Sequence, residues 1–364
     1  MYSQLTINHT EDTGGVDVPC PGRTGPTERF SRVAERIDAL VVGAGVIGLT
    51  SAVLLAEQGL KVQVRAGRPP GRTTSAVAGA LVGGPLTTDA AEAAAKFAPV
   101  DTSTGWQRAS LREFTALAQQ PGTGVHTARG RLVCAKAGGD LDLPGYRPCP
   151  PKDSAGFAVA FWSRMPIVDM PAYLDYLAAR AAAAGATVTT GQVPSLQAAA
   201  AAAPIVVNCT GTGAAALVPD PAVVPVRGQH VVVDNPGLSE FFFENNAGPT
   251  STSYFPHGAR LVLGGTSQRG ADSLEPDPDQ TREIIERCTA VEPRIAGAKV
   301  LDVQVGLRAA RPRTRLEAER IDGSLVIHNY GHGGIAVGLS WGCARQVLRL
   351  AGVDDALEPA ARPS

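Results

Sequence analysis

Ala39-Leu40-Val41-Val42-Gly43-Ala44-Gly45-Val46-Ile47-Gly48-Leu49 is the stretch whose reading decides the fold. Four apolar residues read as a short buried strand, and a Gly-x-Gly-x-x-Gly turn follows without a gap. Leu49 to Gln58 then carries a helical pattern that Gly59 suits as a C-cap, and Lys61 to Val64 reads as a second strand. This is a parallel strand–helix–strand unit. Gly43 makes the tight turn, Gly45 lets a pyrophosphate approach the backbone, and Gly48 lets helix and strand pack; Val46 and Ile47 lie between them. The second strand ends Val64-Arg65-Ala66-Gly67-Arg68, with no acid for a ribose hydroxyl. An arginine there accommodates a 2′-phosphate, so the residues alone leave NADP open.

The chain has 364 residues, room for two domains, and 44% of them are apolar, enough for a full core. A net charge of −1 gives no electrostatic reason to expect nucleic acid or an anionic membrane as partner. No apolar run approaches the ~20 residues that span a bilayer. Residues 1–36 lack the apolar core of a signal peptide, and their Gly/Pro-rich part, Thr13 to Pro26, reads as a disordered arm. The six cysteines are widely spaced and form no C-x-x-C pair, which reads as reduced thiols in a cytoplasmic protein.

Farther along, residues 88–120 look mostly helical, Val125 to Val133 reads as strand and Ala135 to Ala155 as loop. Pro171 to Ala184 is a strong helix pattern. Ile205 to Asn208 is a buried strand that runs into Cys209-Thr210-Gly211, where ligands of open α/β sheets tend to lie. Residues 225–267 read as an antiparallel sheet punctuated by Gly, Pro and Asn. A sheet placed between α/β segments predicts an interleaved, discontinuous nucleotide-binding domain.

The segment Gly306 to Gly342 reads as an arginine-rich turn, a short strand from Ser324 to Ile327, a glycine loop from Gly331 to Gly334 and a small-apolar run from Ile335 to Gly338. Arg308 can meet a carboxylate with a planar two-pronged donor, while a solvated basic turn accounts for some of Arg308, Arg311, Arg313 and Arg315. Thr73-Thr74-Ser75 and the small strip Ala78-Gly79-Ala80 could line phosphates and then an aromatic ring; by themselves they read as a surface turn. His328 and His332 show no metal-ligand spacing. Gly338-Leu339-Ser340-Trp341-Gly342 matches G-x-S-x-G, but its serine falls inside a helix pattern, which a nucleophile elbow forbids.

Taken together, VVGAGVIGLTS (41–51), RTTSAVAG (72–79), PIVDMPAYL (166–174), VNCTG (207–211), VPVRGQ (224–229), LGGT (263–266), GLRAARPRTRLE (306–317) and HNYGHGG (328–334) resemble the D-amino-acid oxidase family of flavoproteins, in its actinobacterial style. The resemblance implies FAD rather than NADP. It also implies an α/β fold, a Rossmann-type FAD-binding domain interleaved with a mixed-sheet α+β substrate-binding domain. The expected boundaries are 37–87, 166–225 and 301–352 for the first and 88–165 and 226–300 for the second, with an arm at 1–36 and a flexible tail at 353–364.

By resemblance, Arg308 falls on the carboxylate-binding arginine, Tyr254 on the active-site tyrosine and Gly334 on the loop residue whose carbonyl receives the substrate amine. Flavin-contacting positions fall on Gly43, Gly45 and Gly48, then on Arg68, Thr73, Thr74, Ser75, Gly79 and Ala80. Farther on they fall on Val193 and on Gly333, Ala336, Val337 and Gly338, and Cys209 and Gly211 join them from the strand end. The implied reaction is oxidative deamination of a D-amino acid: hydride leaves Cα for flavin N5, dioxygen becomes hydrogen peroxide, and the imino acid hydrolyses to a keto acid and ammonia. A glycine, imino-acid or specialised amine oxidase, or a flavin-binding protein with little oxidase activity, are the alternatives. The partners are an amino acid and dioxygen, with a homodimer left open. The chain departs from the family at Thr250, Ala309 and Leu81-Val82-Gly83-Gly84, where relatives carry a second tyrosine, a proline and several aromatics.

Overall fold

The computed structural model describes residues 36–83, 100–134, 147–245 and 248–353. The expected arm (apart from Arg36), the first part of the 88–120 helical tract, most of the 135–155 loop and most of the tail lie outside these residues.

The opening unit forms as read. Strand β1 (Ala39–Val42) leads into helix α1 (Val46–Glu57) and strand β2 (Val62–Ala66), which pairs parallel with β1. Gly59 takes φ +86° just beyond the helix, a left-handed conformation that glycine reaches at no steric cost. Helix α1 buries its residues from Val46 to Ala56 on every side, because it is packed between the sheet and two other helices.

The chain continues with α2 (Val100–Leu117), β3 (Val125–Cys134), β4 (Arg147–Pro148), β5 (Val159–Val168), α3 (Met170–Ala183), β6 (Thr187–Thr190), α4 (Leu196–Ala202) and β7 (Ile205–Asn208). A short α5 (Ala214–Leu217) precedes the antiparallel strands β8 (Val224–Asp234), β9 (Phe241–Glu244), β10 (Thr250–His257), β11 (Arg260–Thr266) and the two-residue β12 (Gln268–Arg269). Helix α6 (Pro278–Val291), strands β13 (Val300–Ile321) and β14 (Ser324–His332) and helix α7 (Ala336–Leu350) complete it. Strand β5 and helix α6 were not expected. Helix α6 buries only Ile284 and Cys288, so its stripe is too narrow to stand out, and Asp277 caps it by accepting from the amides of Asp279 and Gln280.

All the strands join one sheet in the order β4-β5-β3-β9-β10-β11-β8-β13-β14-β7-β1-β2-β6, with β12 beside β8. The run β14-β7-β1-β2-β6 is parallel, and the strands from β9 to β13 pair antiparallel. Two apolar clusters cover the two regions. One gathers α1, α3 and α7 around Leu49, Val53, Tyr173 and Trp341; the other gathers α6 and the antiparallel strands around Val231, Leu263, Phe242 and Ile284.

The expected arginine-rich turn is not a turn. Residues 300–321 form one long strand, which pairs with β8 up to Ala310 and with β14 at Ala310 and again from Arg315 onward. Neither half carries a clean alternation, because the strand changes partners between Ala310 and Arg315. The expected strand 324–327 likewise extends to His332. Among the described residues no helix is long and apolar enough to cross a membrane.

Candidate active site

Five parallel strands place their carboxyl ends along one edge, and the first site residues sit there. Gly43 follows β1 with φ +114°, and a Cβ on it would collide with the Cys209 carbonyl just past β7. A Cβ on Gly48 would strike the Gly43 carbonyl, so strand turn and helix meet backbone to backbone. The amide of Val46 donates to Ser75 Oγ at 3.0 Å, which ties the 74–77 turn to the start of α1. Arg68 follows β2 on the exposed surface, and Gly211 follows β7 with φ +57°. Val193, past β6, packs on the Leu40–Leu196 cluster.

A cavity of about 260 Å³ opens next to this edge, an order of magnitude more than one water needs. On one side lie Thr74, Ser75, Gly79 and Ala80. On another lie Gly333 and Gly334 and the first residues of α7, Ala336, Val337 and Gly338. The third wall is the antiparallel sheet. Thr73 does not reach the cavity; its hydroxyl donates to the Pro70 carbonyl at 2.8 Å.

Arg308 enters this cavity from β13. It lies over Gly228 of β8, where a Cβ would overlap the guanidinium, and its Nη1 donates to the Thr266 carbonyl at 3.1 Å. Among the described residues it forms no ion pair. Burial lowers its proton affinity, yet a guanidinium stays charged. The neighbouring arginines are committed elsewhere: Arg311 pairs with Asp220 at 3.0 Å, and Arg315 pairs with Glu317 at 2.7 Å and donates to the Tyr330 hydroxyl. Arg313 is exposed. The amide of Gly333 donates to the Ala309 carbonyl at 2.8 Å, so the glycine loop is fastened to the residue that follows Arg308.

Tyr254 is not in this site, a correction to the expectation. Side chains alternate along β10, so Ser253 and Phe255 face the cavity and Tyr254 faces the opposite cluster. Its ring stacks on Phe242 at 5.6 Å between centroids, and its hydroxyl accepts from Arg131 Nη2 at 2.9 Å. The residues that do face the cavity from the sheet include Gly228, His230 and Ser253, none of them anticipated. Gly228 and His230 stand two apart in one strand and so share a face, a signal available from alternation alone once the face is known. His230 Nδ1 lies 3.0 Å from the Val77 carbonyl. A carbonyl only accepts, so Nδ1 carries the proton. Burial first, and the Arg308 charge second, push the His230 pKa down to about 4.

Ser340, of the G-x-S-x-G match, is buried within α7 and donates to the Val337 carbonyl at 2.9 Å, so it is no nucleophile elbow. His328 is also structural, its Nε2 2.6 Å from Glu319 and its Nδ1 3.2 Å from Asn208. Among the described residues no cluster could hold a metal ion. Among the described residues no two cysteines form a disulfide, and burial pushes Cys209 and Cys288 up to about 12.

The residues present suit a flavin dinucleotide. Gly43 and Gly48 leave a bare turn at the start of a helix, where pyrophosphate binds. The space a Cβ would occupy at Gly338 meets no protein atom within 4 Å, so α7 begins with an open face. His332 Nε2, beside this loop, is buried without a hydrogen-bond partner among the described residues.

A glycine turn at parallel strand ends, joined to a sheet-walled cavity, is the arrangement of a dinucleotide-binding protein. The model of the FAD-dependent oxidoreductase family matches residues 38–350, and the chain belongs to that family. It is 45% identical over 324 residues to a D-amino-acid oxidase of Streptomyces coelicolor, covering 86% of this chain and 96% of that protein. It is 41% identical to a D-amino-acid oxidase of Rubrobacter xylanophilus, covering 86% and 95%, and 31% identical to a human D-aspartate oxidase, covering 85% and 93%. Among solved structures, glycine oxidase from Geobacillus kaustophilus superposes with a TM-score of 0.69 at 20% identity, covering 88% of this chain and 96% of that one.

Proposed function

We propose that this protein is a cytoplasmic FAD-dependent D-amino-acid oxidase that converts its substrate, with dioxygen, to an imino acid and hydrogen peroxide. The observation that carries the reading is Arg308, a cation facing the cavity with no acidic partner among the described residues. A substrate carboxylate supplies the missing charge, in a two-pronged contact of the kind arginine makes best. The hydrogen bond to Thr266 and the bare floor at Gly228 hold the guanidinium in one place. The Gly333–Ala309 hydrogen bond then sets the distance between this anchor and the glycine loop.

The FAD would lie against Gly43, Gly45 and Gly48 at its pyrophosphate and against the residues around Gly333 and Gly338 at its ring. When bound it supplies the hydride acceptor at N5 and is reoxidised by dioxygen. Gly334, on the same loop, receives the substrate amine at its carbonyl. With carboxylate and amine both held, the α-hydrogen has one orientation left, and the protein contributes position rather than a base on carbon. Tyr254 takes no part. On this proposal the flavin is held chiefly by 37–87, 166–225 and 301–352 and the substrate walled by 88–165 and 226–300, with Arg308 reaching the substrate from the flavin side.

The test is a paired panel of D- and L-amino acids with a peroxide readout on yellow holoprotein. Turnover confined to D-enantiomers is the expected result. Flavin that stays oxidised under anaerobic addition of every amino acid would refute the reading.

A further inference from the structure

His230, Gly264 and Ser253 lie side by side on three neighbouring strands. Gly264 of β11 pairs with Ser253 of β10 on one flank and with His230 of β8 on the other. Side chains directly opposite one another share a face of the sheet. The glycine between them lets the His230 ring and the Ser253 hydroxyl lean in over its Cα. The Cβ position it vacates lies 3.2 Å from His230 Nε2 and 2.5 Å from Ser253 Oγ. At Gly265, too, the vacant Cβ position lies 2.9 Å from His230 Nε2. Ser253, His230 and Gly265 all line the cavity that holds Arg308.

The two polar atoms are chemically complementary. His230 Nδ1–H donates to the Val77 carbonyl, which leaves Nε2 as a bare acceptor. The ring is held by this bond and by close backbone at Gly264 and Gly265, so it does not turn over freely. Ser253 brings a hydroxyl that can donate. Of the two atoms that converge over Gly264, one therefore accepts and the other donates. Arg308 rests over Gly228, two residues from His230 on the same strand face, a rise of roughly 7 Å. An α-amino acid whose side chain carries a further polar group spans that interval.

We propose that His230 and Ser253 form a side-chain subsite that selects D-amino acids ending in a carboxamide, D-asparagine and D-glutamine. The inference rests on the oxidase reading above. The amide N–H donates to His230 Nε2 and the amide carbonyl accepts from the Ser253 hydroxyl. The isosteric acids offer a second lone pair to Nε2 in place of a donor, and a neutral histidine cannot answer it. The low proton affinity of His230 keeps it neutral throughout the physiological range.

The experiment compares kcat/KM for D-asparagine with D-aspartate, and for D-glutamine with D-glutamate, on holoprotein. The wild type should favour the amide of each pair by at least about tenfold, the worth of one or two hydrogen bonds. His230→Leu should bring both ratios to within about threefold of unity, and His230→Gln, which keeps an acceptor, should restore part of the preference. Ser253→Ala gives the same test if His230→Leu yields no flavin-loaded protein. A wild-type ratio near or below one, or a ratio unmoved by these substitutions, overturns the subsite. So does Ser253→Ala raising KM for D-alanine as much as for D-asparagine, since the hydroxyl would then serve the α-carboxylate. Flavin that no amino acid in the panel reduces, D-alanine included, refutes the oxidase reading itself, so the two failures are distinguishable.

Discussion

Replacing Arg308 by methionine removes the charge and keeps most of the stem. In the wild type the guanidinium gives one hydrogen bond to the Thr266 carbonyl and presents its remaining N–H groups to the cavity. A substrate carboxylate that loses this partner is left in a half-buried site facing a thioether. Truncating one member of such a charge pair costs roughly 2–5 kcal/mol, or about 30-fold to several-thousand-fold in affinity. The loss should fall on substrate binding, with the limiting rate of flavin reduction affected less. Anaerobic stopped-flow reduction by D-alanine separates the two, since it gives Kd and the limiting rate in one titration. The variant should at the same time hold its fold. Arg308 without substrate is a desolvated cation with no acidic partner among the described residues, so an apolar replacement costs little stability and can add some. A variant that stays yellow, melts at or above the wild-type temperature and binds D-alanine with unchanged Kd would refute the reasoning.

Gly228→Ala places a methyl where the guanidinium lies, so Arg308 must shift; KM for D-alanine should rise at least about tenfold while the flavin spectrum is unchanged. Tyr254→Phe removes only the hydrogen bond from Arg131, and should cost about 1 kcal/mol in urea unfolding with kcat/KM inside a few-fold of wild type; a loss of orders of magnitude would return Tyr254 to the active site. Burial depresses His332 to about 3 and His257 to about 4. The unfolded chain binds those protons near pH 6.5, so their contribution to stability is full above that pH and is lost as pH falls, toward 4 for His257 and toward 3 for His332. The slope is roughly 1.4 kcal/mol per pH unit for each, and His332→Leu should flatten it by about one proton in pH-dependent unfolding. Cys209 and Cys288 should resist alkylation at pH 8 in folded protein and react after denaturation, read by mass spectrometry.

The nucleotide-binding half was legible because its signals are local. Gly43, Gly45 and Gly48 act within one turn, the strand before them and the helix after them are continuous in sequence, and each glycine has a steric reason visible without the rest of the fold. Arg308 was legible as a residue type able to hold a carboxylate. What set it apart from Arg311 and Arg315 was pairing across the fold, with Asp220 and with Tyr330, and sequence proximity does not report that. Tyr254 shows the sharper limit. A strand offers two faces, and moving one residue along it changes the face entirely. The stretch Ser253-Tyr254-Phe255 determines that side chains alternate; which of them sees the cavity depends on the helix packed behind β10 and the glycine loop in front of it. The same holds for β13, whose change of partner after Ala310 joins the two halves of the sheet and places Arg308 at their junction. The chain by itself determined the glycine turn, the helix that follows it and the presence of an arginine able to meet a carboxylate, since these follow from backbone sterics and residue chemistry over a few positions. Only the tertiary structure decided which hydroxyl, which histidine and which face line the cavity, because those depend on contacts between strands far apart in the chain.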